Sequence, residues 1–373
     1  MQHEAPLKPI IDSHLDLAWN ALSYNRDLTW PLEDLRRHEN GMTDHPCRAH
    51  ATITLPEMRK ARIGVCVATI LARGGPDQKR QSGYSRTDLD HATQAIAHAV
   101  GHGQLAYYRL LEDEKRLRQI RTAADLAAHW KAWLADEERT PIGYILSMEG
   151  ADPITSPAQL EHWWDVGLRA LGLAHYGKSH YAVGTGDSGP LTPPGFEMLR
   201  EMDRLGMILD LTHCSDPSFF QAIDTFRGRV LASHQNCRAL VPGDRQFSDE
   251  QIRLIIERDG ILGVPYDAWM MVPGWRKGET SPEVVAIEAS ADHIDHVCQM
   301  AGNARHSAIG SDLDGGFGTE QTPRDLNTIA DLQKLAGILA HRGYTDADID
   351  LIFHGNWLRF FSEALPGGTR TRA

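Results

Sequence analysis

Eight short apolar runs recur along the chain with helical patterns between them, and six of the eight lead straight into a histidine or an acid. The runs cover residues 9–12, 64–71, 142–148, 170–174, 207–211, 230–232, 260–264 and 307–309. Nearly unbroken apolar runs mark parallel strands buried on both faces, since polar alternation is needed only where one face meets water. Residues 87–111 carry Ala95, Ile96, Ala99 and Val100 at helical spacing. Ser156-Pro157, Ser248-Asp249-Glu250 and Ser281-Pro282-Glu283 each pair a capping serine with residues that favour a first helical turn. They predict a helix from 156, one over 251–258 and one from 281 to about 301. Further helices are expected over 325–342 and 345–365.

Strands alternating with helices mean an α/β fold with a parallel sheet, and eight strands in 373 residues suit a closed (β/α)8, TIM-like barrel. The rival is an open doubly wound sheet. It usually brings a glycine-rich turn after the first strand, and Asp12-Ser13-His14-Leu15-Asp16 has no glycine. Residues 1–365 read as a single catalytic barrel domain and 366–373 as a flexible C-terminal tail. Two polar or aromatic loops, 74–86 and 269–280, follow the second and seventh strands, where barrel enzymes keep lids and specificity elements.

A net charge of −12 argues against a nucleic-acid partner, which needs clustered Lys and Arg. No apolar run approaches the ~20 residues that span a bilayer, so no membrane partner is expected. The first residues lack the basic-then-apolar pattern of a signal peptide, which makes the cytoplasm the expected location. The five cysteines are scattered and form no CxxC pair, so neither a disulfide framework nor a cysteine-only zinc site is expected.

The strand ends carry the chemistry. The first gives His14 and Asp16, the third Glu149, the fourth His175, the fifth His213, the sixth His234 and the eighth Asp312. Any one of these alone would read as a hydrogen-bonded core residue or a helix cap. In a barrel, however, all C-terminal strand ends meet on one face, where active sites of this fold lie. Imidazole with carboxylate is the ligand set of zinc and similar divalent ions. His14 and Asp16 alternate along a strand and so point the same way. His213 and His234 come from neighbouring strands, and Glu149 has two oxygens with which to bridge two ions.

Other residues read as structural. Cys214 and Cys237 follow His213 and His234 closely but are expected to be small buried thiols. Trp130, Trp133, Trp163 and Trp164 sit on helical patterns and read as packing, and His180 as loop surface. Asp314, followed by Gly315, reads as a turn or cap residue, and Arg245 by itself as a surface charge.

Taken together, the set resembles the membrane dipeptidase (renal dipeptidase) family of zinc metallopeptidases in its bacterial branch. The resemblance runs from Ile11-Asp12-Ser13-His14-Leu15-Asp16 to His354-Gly355-Asn356-Trp357-Leu358-Arg359. It is strongest at His14-x-Asp16, Glu149-Gly150, Thr212-His213, Ser233-His234 and Asp312-Leu313-Asp314-Gly315. It implies a Zn2+-dependent hydrolase with two zinc ions per chain, acting on a small-molecule substrate, a dipeptide with an L- or D-residue at its C-terminal side. His14 and Asp16 would bind one ion, His213 and His234 the other, and Glu149 both. Asp312 would handle the proton of a hydroxide bridging the ions, His175 would contact the substrate near the scissile carbonyl, and Arg245 would bind substrate. The resemblance also implies a homodimer. Two alternatives stay open: a hydrolase of N-acyl amino acids, lactams or lactones with the same site, and a non-catalytic metal-binding barrel.

Overall fold

The structure, a computed structural model, describes residues 7–74 and 89–367. Eight strands form the frame: β1 (Ile10–Leu15), β2 (Ile63–Ile70), β3 (Ile142–Met148), β4 (Leu168–Gly172), β5 (Ile208–Asp210), β6 (Val230–Leu231), β7 (Leu262–Val264) and β8 (Ser307–Ile309). Each falls on one of the apolar runs. Pairing is parallel throughout, from β1 through β2, β3, β4 and β5 to β6, and again from β7 to β8. A single parallel bridge, Ala232 to Leu262, joins β6 to β7. A short segment, Leu117–Gln119, pairs with the first half of β3 before β4 takes over that edge at Leu146.

A side chain and a backbone hydrogen bond close the seam between β8 and β1. Asp12 Oδ1 accepts from Ser311 N at 2.9 Å, and Asp312 N reaches His14 O at 3.3 Å. Ser13 Oγ donates across the barrel to Ser233 O at 2.5 Å. Strands β7 and β8 crowd this point. A Cβ on Gly263 would stand 2.0 Å from Ser233 O, and one on Gly310 would stand 1.9 Å from the same oxygen. Only glycine allows that approach, which sets the strand ends at the spacing the site requires.

The barrel interior is a packed core. Ile11, Val65, Ile145, Ala170, Ile208, Leu231, Ile261 and Ala308 belong to one buried cluster with Trp357, Phe360 and Phe361. Those three aromatics lie on the C-terminal helix Asn356–Ala364. Arg359 and Glu363 of that helix pair with Asp259 and Arg229, both just ahead of barrel strands. The helix therefore plugs the N-terminal end of the barrel and leaves the other end open. A larger cluster fills the space between strands and outer helices and contains Trp133 and Trp163.

Several boundaries differ from expectation. Strand β1 runs on to Leu15, so His14 lies on the strand and Asp16 is the first residue past it. The helix expected over 87–111 is Gln94–Asp113, where Thr93 Oγ1 accepts from Ile96 N. The run from 281 to 301 is interrupted. Pro282–Val284 is one 3-10 turn, Val285 is extended, and the α-helix is Glu288–Ala301. Tertiary hydrogen bonds win there: Val285 O accepts from Arg324 N, and Asp325 Oδ1 accepts from Ile287 N. Residues 325–328 are not helical, and the 3-10 turn Ile329–Gln333 leads into Lys334–His341. The segment 345–365 includes a π-turn at Leu351–Gly355. The Ser248 start is a complete capping box with Gln251. Of the loop expected over 74–86, all but Gly74 lies outside the described residues, as do 368–373 of the expected tail. Among the described residues no helix is long and apolar enough to cross a membrane.

Candidate metal centre

All seven strand-end candidates meet at the open end of the barrel. His175, His213, His234 and Asp312 each stand three residues past the last residue of their strand, and Glu149 and Asp16 stand one past theirs. Glu149 is the hub. Its Oε1 lies 3.1 Å from both His213 Nε2 and His234 Nε2 and 3.8 Å from His175 Nε2. Its Oε2 lies 3.6 Å from His14 Nε2. His14 Nε2 is also 3.6 Å from Asp16 Oδ2 and 3.8 Å from Asp312 Oδ1. Three sets of ligand-capable atoms result, each within 4.8 Å: His14, Glu149 and His234; Glu149, His175 and His213; His14, Asp16 and Asp312.

Hydroxyls aim the imidazoles. Thr185 Oγ1 lies 3.1 Å from His213 Nδ1, and Ser233 Oγ lies 2.9 Å from His234 Nδ1 and 3.4 Å from His14 Nδ1. With Nδ1 engaged, each ring presents Nε2 inward, the arrangement in which a metal-binding histidine is normally held. His213 (φ 66°) and Asp312 (φ 55°) both adopt the left-handed backbone region, which is costly for non-glycine residues. Gly150 takes φ 84° beside Glu149 without that cost.

Burial dominates the electrostatics. It pushes the Asp312 carboxyl well above the usual range, against the pull of His14 and with the added repulsion of Glu149 and Asp16. Burial also raises Asp16. For Glu149 burial works upward, yet His175, His14 and His234 hold its carboxyl well below the ordinary value. His14 is opposed by burial, but Glu149 and Asp16 keep its imidazole well above its usual pKa. Burial, followed by the charges of Arg73 and Arg245, lowers His175 to about 3. His213 and His234 are likewise depressed by burial, with Arg245 adding to it in both.

The donor set fits divalent cations. Among the described residues, the buried atoms His14 Nε2, Asp16 Oδ1 and Glu149 Oε1 have no hydrogen-bond partner. Buried polar atoms are almost always satisfied, so their convergence marks a place for a ligand. Three carboxylates facing one another at this depth repel, and cations between them relieve that repulsion.

Arg245 is buried, not a surface charge. Its Nη1 donates to Gln235 Oε1 at 2.8 Å and its Nη2 to His234 O at 2.9 Å, so the guanidinium is locked against the backbone of a candidate ligand. Asp314 is not a helix cap. It is buried, accepts from Thr52 N at 2.8 Å and Ile53 N at 3.2 Å, and lies 3.5 Å from Arg26. Cys214 and Cys237 are buried thiols, and burial raises Cys214 to about 12. His180 is exposed.

A cavity of about 1890 Å³ opens above the cluster. Tyr176, Arg245, Trp19, Phe317, Trp269 and Trp275 contribute to its walls. The last two come from the loop after β7. Arg73 and Asp267 also line it, three residues past Ile70 of β2 and Val264 of β7. Neither was singled out in the sequence, although the shared three-residue offset was there to find them.

A model of the membrane dipeptidase family (Peptidase family M19) matches residues 5–370. The chain belongs to this family. A Schizosaccharomyces pombe protein named as an uncharacterized dipeptidase is 29% identical over 226 residues, which are 59% of this chain and 53% of that one. The dipeptidase tcpJ of Claviceps purpurea is 28% identical over 59% of this chain and 51% of its own. The chain thus spans about half the length of these two curated relatives. A Klebsiella pneumoniae protein is 27% identical over 71% of this chain and 90% of its own. Among solved structures, an M19 metallopeptidase described as dipeptidase AC superposes with a TM-score of 0.77 at 21% identity, covering 96% of this chain and 99% of that one. A Rhodobacter sphaeroides metallopeptidase, solved with a phosphinate mimic of L-Ala-D-Ala, superposes with a TM-score of 0.76 at 21% identity, covering 96% and 100%. At that identity the likeness is one of fold.

Proposed function

We propose that this M19 family member is a dipeptidase that works with two zinc ions. The observation that carries the reading is the convergence of four imidazole Nε2 atoms on the buried carboxylate of Glu149, with Asp16 and Asp312 beside them. His14 and Asp16 would hold one ion, His213 and His234 the other, and Glu149 both. Bound there, such a pair supplies Lewis acidity and lowers the pKa of water from 15.7 towards ~7.

The chain's own groups do the rest. Asp312 takes the proton of the attacking water and returns it to the leaving amine, as general base and then acid. His175 stays neutral and presents an N–H to the carbonyl oxygen as negative charge develops on it. The locked guanidinium of Arg245 holds the substrate carboxylate by a charge-assisted hydrogen bond. A short substrate is recognised at both ends inside a walled cavity. The catalytic unit is the barrel, taken as one domain over residues 1–365, and a homodimer is part of the same proposal.

One observation favours a second reading. Ligand pockets commonly measure roughly 300–1,000 Å³, and this cavity is about 1890 Å³. Bulkier N-acyl amino acids, lactams or lactones would also fit the same chemistry. A panel of L,L- and L,D-dipeptides alongside N-acyl amino acids separates the two. Faster turnover of free dipeptides supports the dipeptidase reading, and turnover confined to N-acyl substrates replaces it.

A further inference from the structure

Asp267 extends the strand-end pattern to β7, at the offset from Val264 that His175, His213, His234 and Asp312 keep from their own strands. The residue is 6% exposed and lines the cavity. One amide nitrogen, Gln321 Nε2, lies 2.8 Å from both of its oxygens. The backbone N–H of Trp269 reaches Oδ1 at 3.4 Å. No described cation forms an ion pair with it, and Lys277, exposed at the rim, acts on it only from a distance. A carboxylate has about four acceptor positions. The Trp269 side chain also donates to it, so both of its side-chain donors are neutral, and holding a carboxylate this deep on neutral donors alone leaves room for a charged partner arriving from the cavity.

Its place on the wall says where that partner sits. The turn after Asp267 is tied to the loop that carries Arg245: Asn236 Nδ2 and Gln246 Nε2 both donate to Met270 O, at 3.1 and 2.9 Å. Arg245, Asp267 and Tyr176 all line the cavity. The two opposite charges therefore flank the same part of the cavity. If Arg245 holds the terminal carboxylate of a dipeptide, the group next to Asp267 is the side chain of the C-terminal residue.

We infer that Asp267 is a specificity-determining residue that receives a cationic side chain, of the lysine or arginine class, on the C-terminal residue of the substrate. Gln321 acts as a positioning residue that keeps the carboxylate turned into the cavity. This inference rests on the dipeptidase reading.

The test compares kcat/KM of the zinc-loaded enzyme for L-Ala-L-Lys, L-Ala-L-norleucine and L-Ala-L-Glu, and for L-Lys-L-Ala against L-norleucyl-L-Ala. A charge-assisted hydrogen bond predicts a preference for L-Ala-L-Lys over L-Ala-L-norleucine of roughly tenfold to hundredfold, mostly in KM. L-Ala-L-Glu is the poorest of the set, a result that needs no variant. In Asp267→Asn the Lys-to-norleucine ratio falls to about one. Equal rates on the unmodified enzyme, a ratio that survives the substitution, or a preference confined to the N-terminal residue overturns the inference. If no dipeptide is cleaved, the dipeptidase reading fails by itself. Calorimetric binding of lysine against norleucine then decides the Asp267 assignment: tighter lysine binding lost in Asp267→Asn upholds it, and equal binding overturns it.

Discussion

His213 and His234 face each other nitrogen to nitrogen: their Nε2 atoms are 3.0 Å apart, and each is 3.1 Å from Glu149 Oε1. The far side of each ring is engaged by a hydroxyl, Thr185 for one and Ser233 for the other. Two inward lone pairs and a carboxylate oxygen would form three corners of a coordination polyhedron around the proposed ion. His213→Ala removes one corner. Metal analysis of the purified variant is expected to show one ion lost per chain, and a variant that keeps both contradicts the assignment.

Asp312 shares the His14 corner at 3.8 Å and stands next to the reacting space. The proposed role as proton carrier would act through its carboxyl and not through metal retention. Asp312→Asn should keep its metal and lose turnover by roughly 10²–10⁴-fold. Near-normal kcat in a metal-replete variant sinks the role.

Ser233 touches no candidate substrate position, yet its Oγ meets both His234 Nδ1 and His14 Nδ1. Hydroxyls of this kind fix ring orientation and tautomer. Ser233→Ala is expected to weaken zinc binding roughly 10–100-fold while the fold persists. Competition with a chelator reads the change, and unaltered affinity shows that the rings orient themselves.

Asp267 also sets a pH dependence of stability. Burial raises its carboxyl from 3.8 to about 7 in the folded chain. A raised folded pKa contributes stability that is present in acid and is lost as pH rises through the folded value. The wild type should therefore lose stability relative to Asp267→Asn between about pH 4 and pH 8. A shift of about three units caps the difference at about 4 kcal/mol. Melting temperatures of both proteins across that range check the sign, and parallel curves refute it.

The fold was legible because the eight strands are buried on both faces and so read as apolar runs. The site was legible because barrel geometry turns strand ends into neighbours, which is how Glu149 and His213 meet from 64 residues apart. Three things stayed hidden, each for a physical reason. The break at Val285 depends on hydrogen bonds from residues 324 and 325, which no local pattern encodes. Asp314 does sit in a turn, but its burial and its anchoring role stayed hidden because its partners, Thr52 and Ile53, lie more than 260 positions away. Arg245 by itself looked like a surface charge because its burial depends on Gln235 and the His234 carbonyl folding over it. Asp267 shows itself only in its offset past β7, because the Trp-rich loop that follows it dominates the local pattern.

The most direct test of the account is a zinc titration of metal-free protein, followed by dipeptide hydrolysis. Turnover is predicted to be absent without metal and to reach its plateau at two zinc ions per chain. Hydrolysis that is indifferent to zinc, or no hydrolysis at any zinc load, would contradict it.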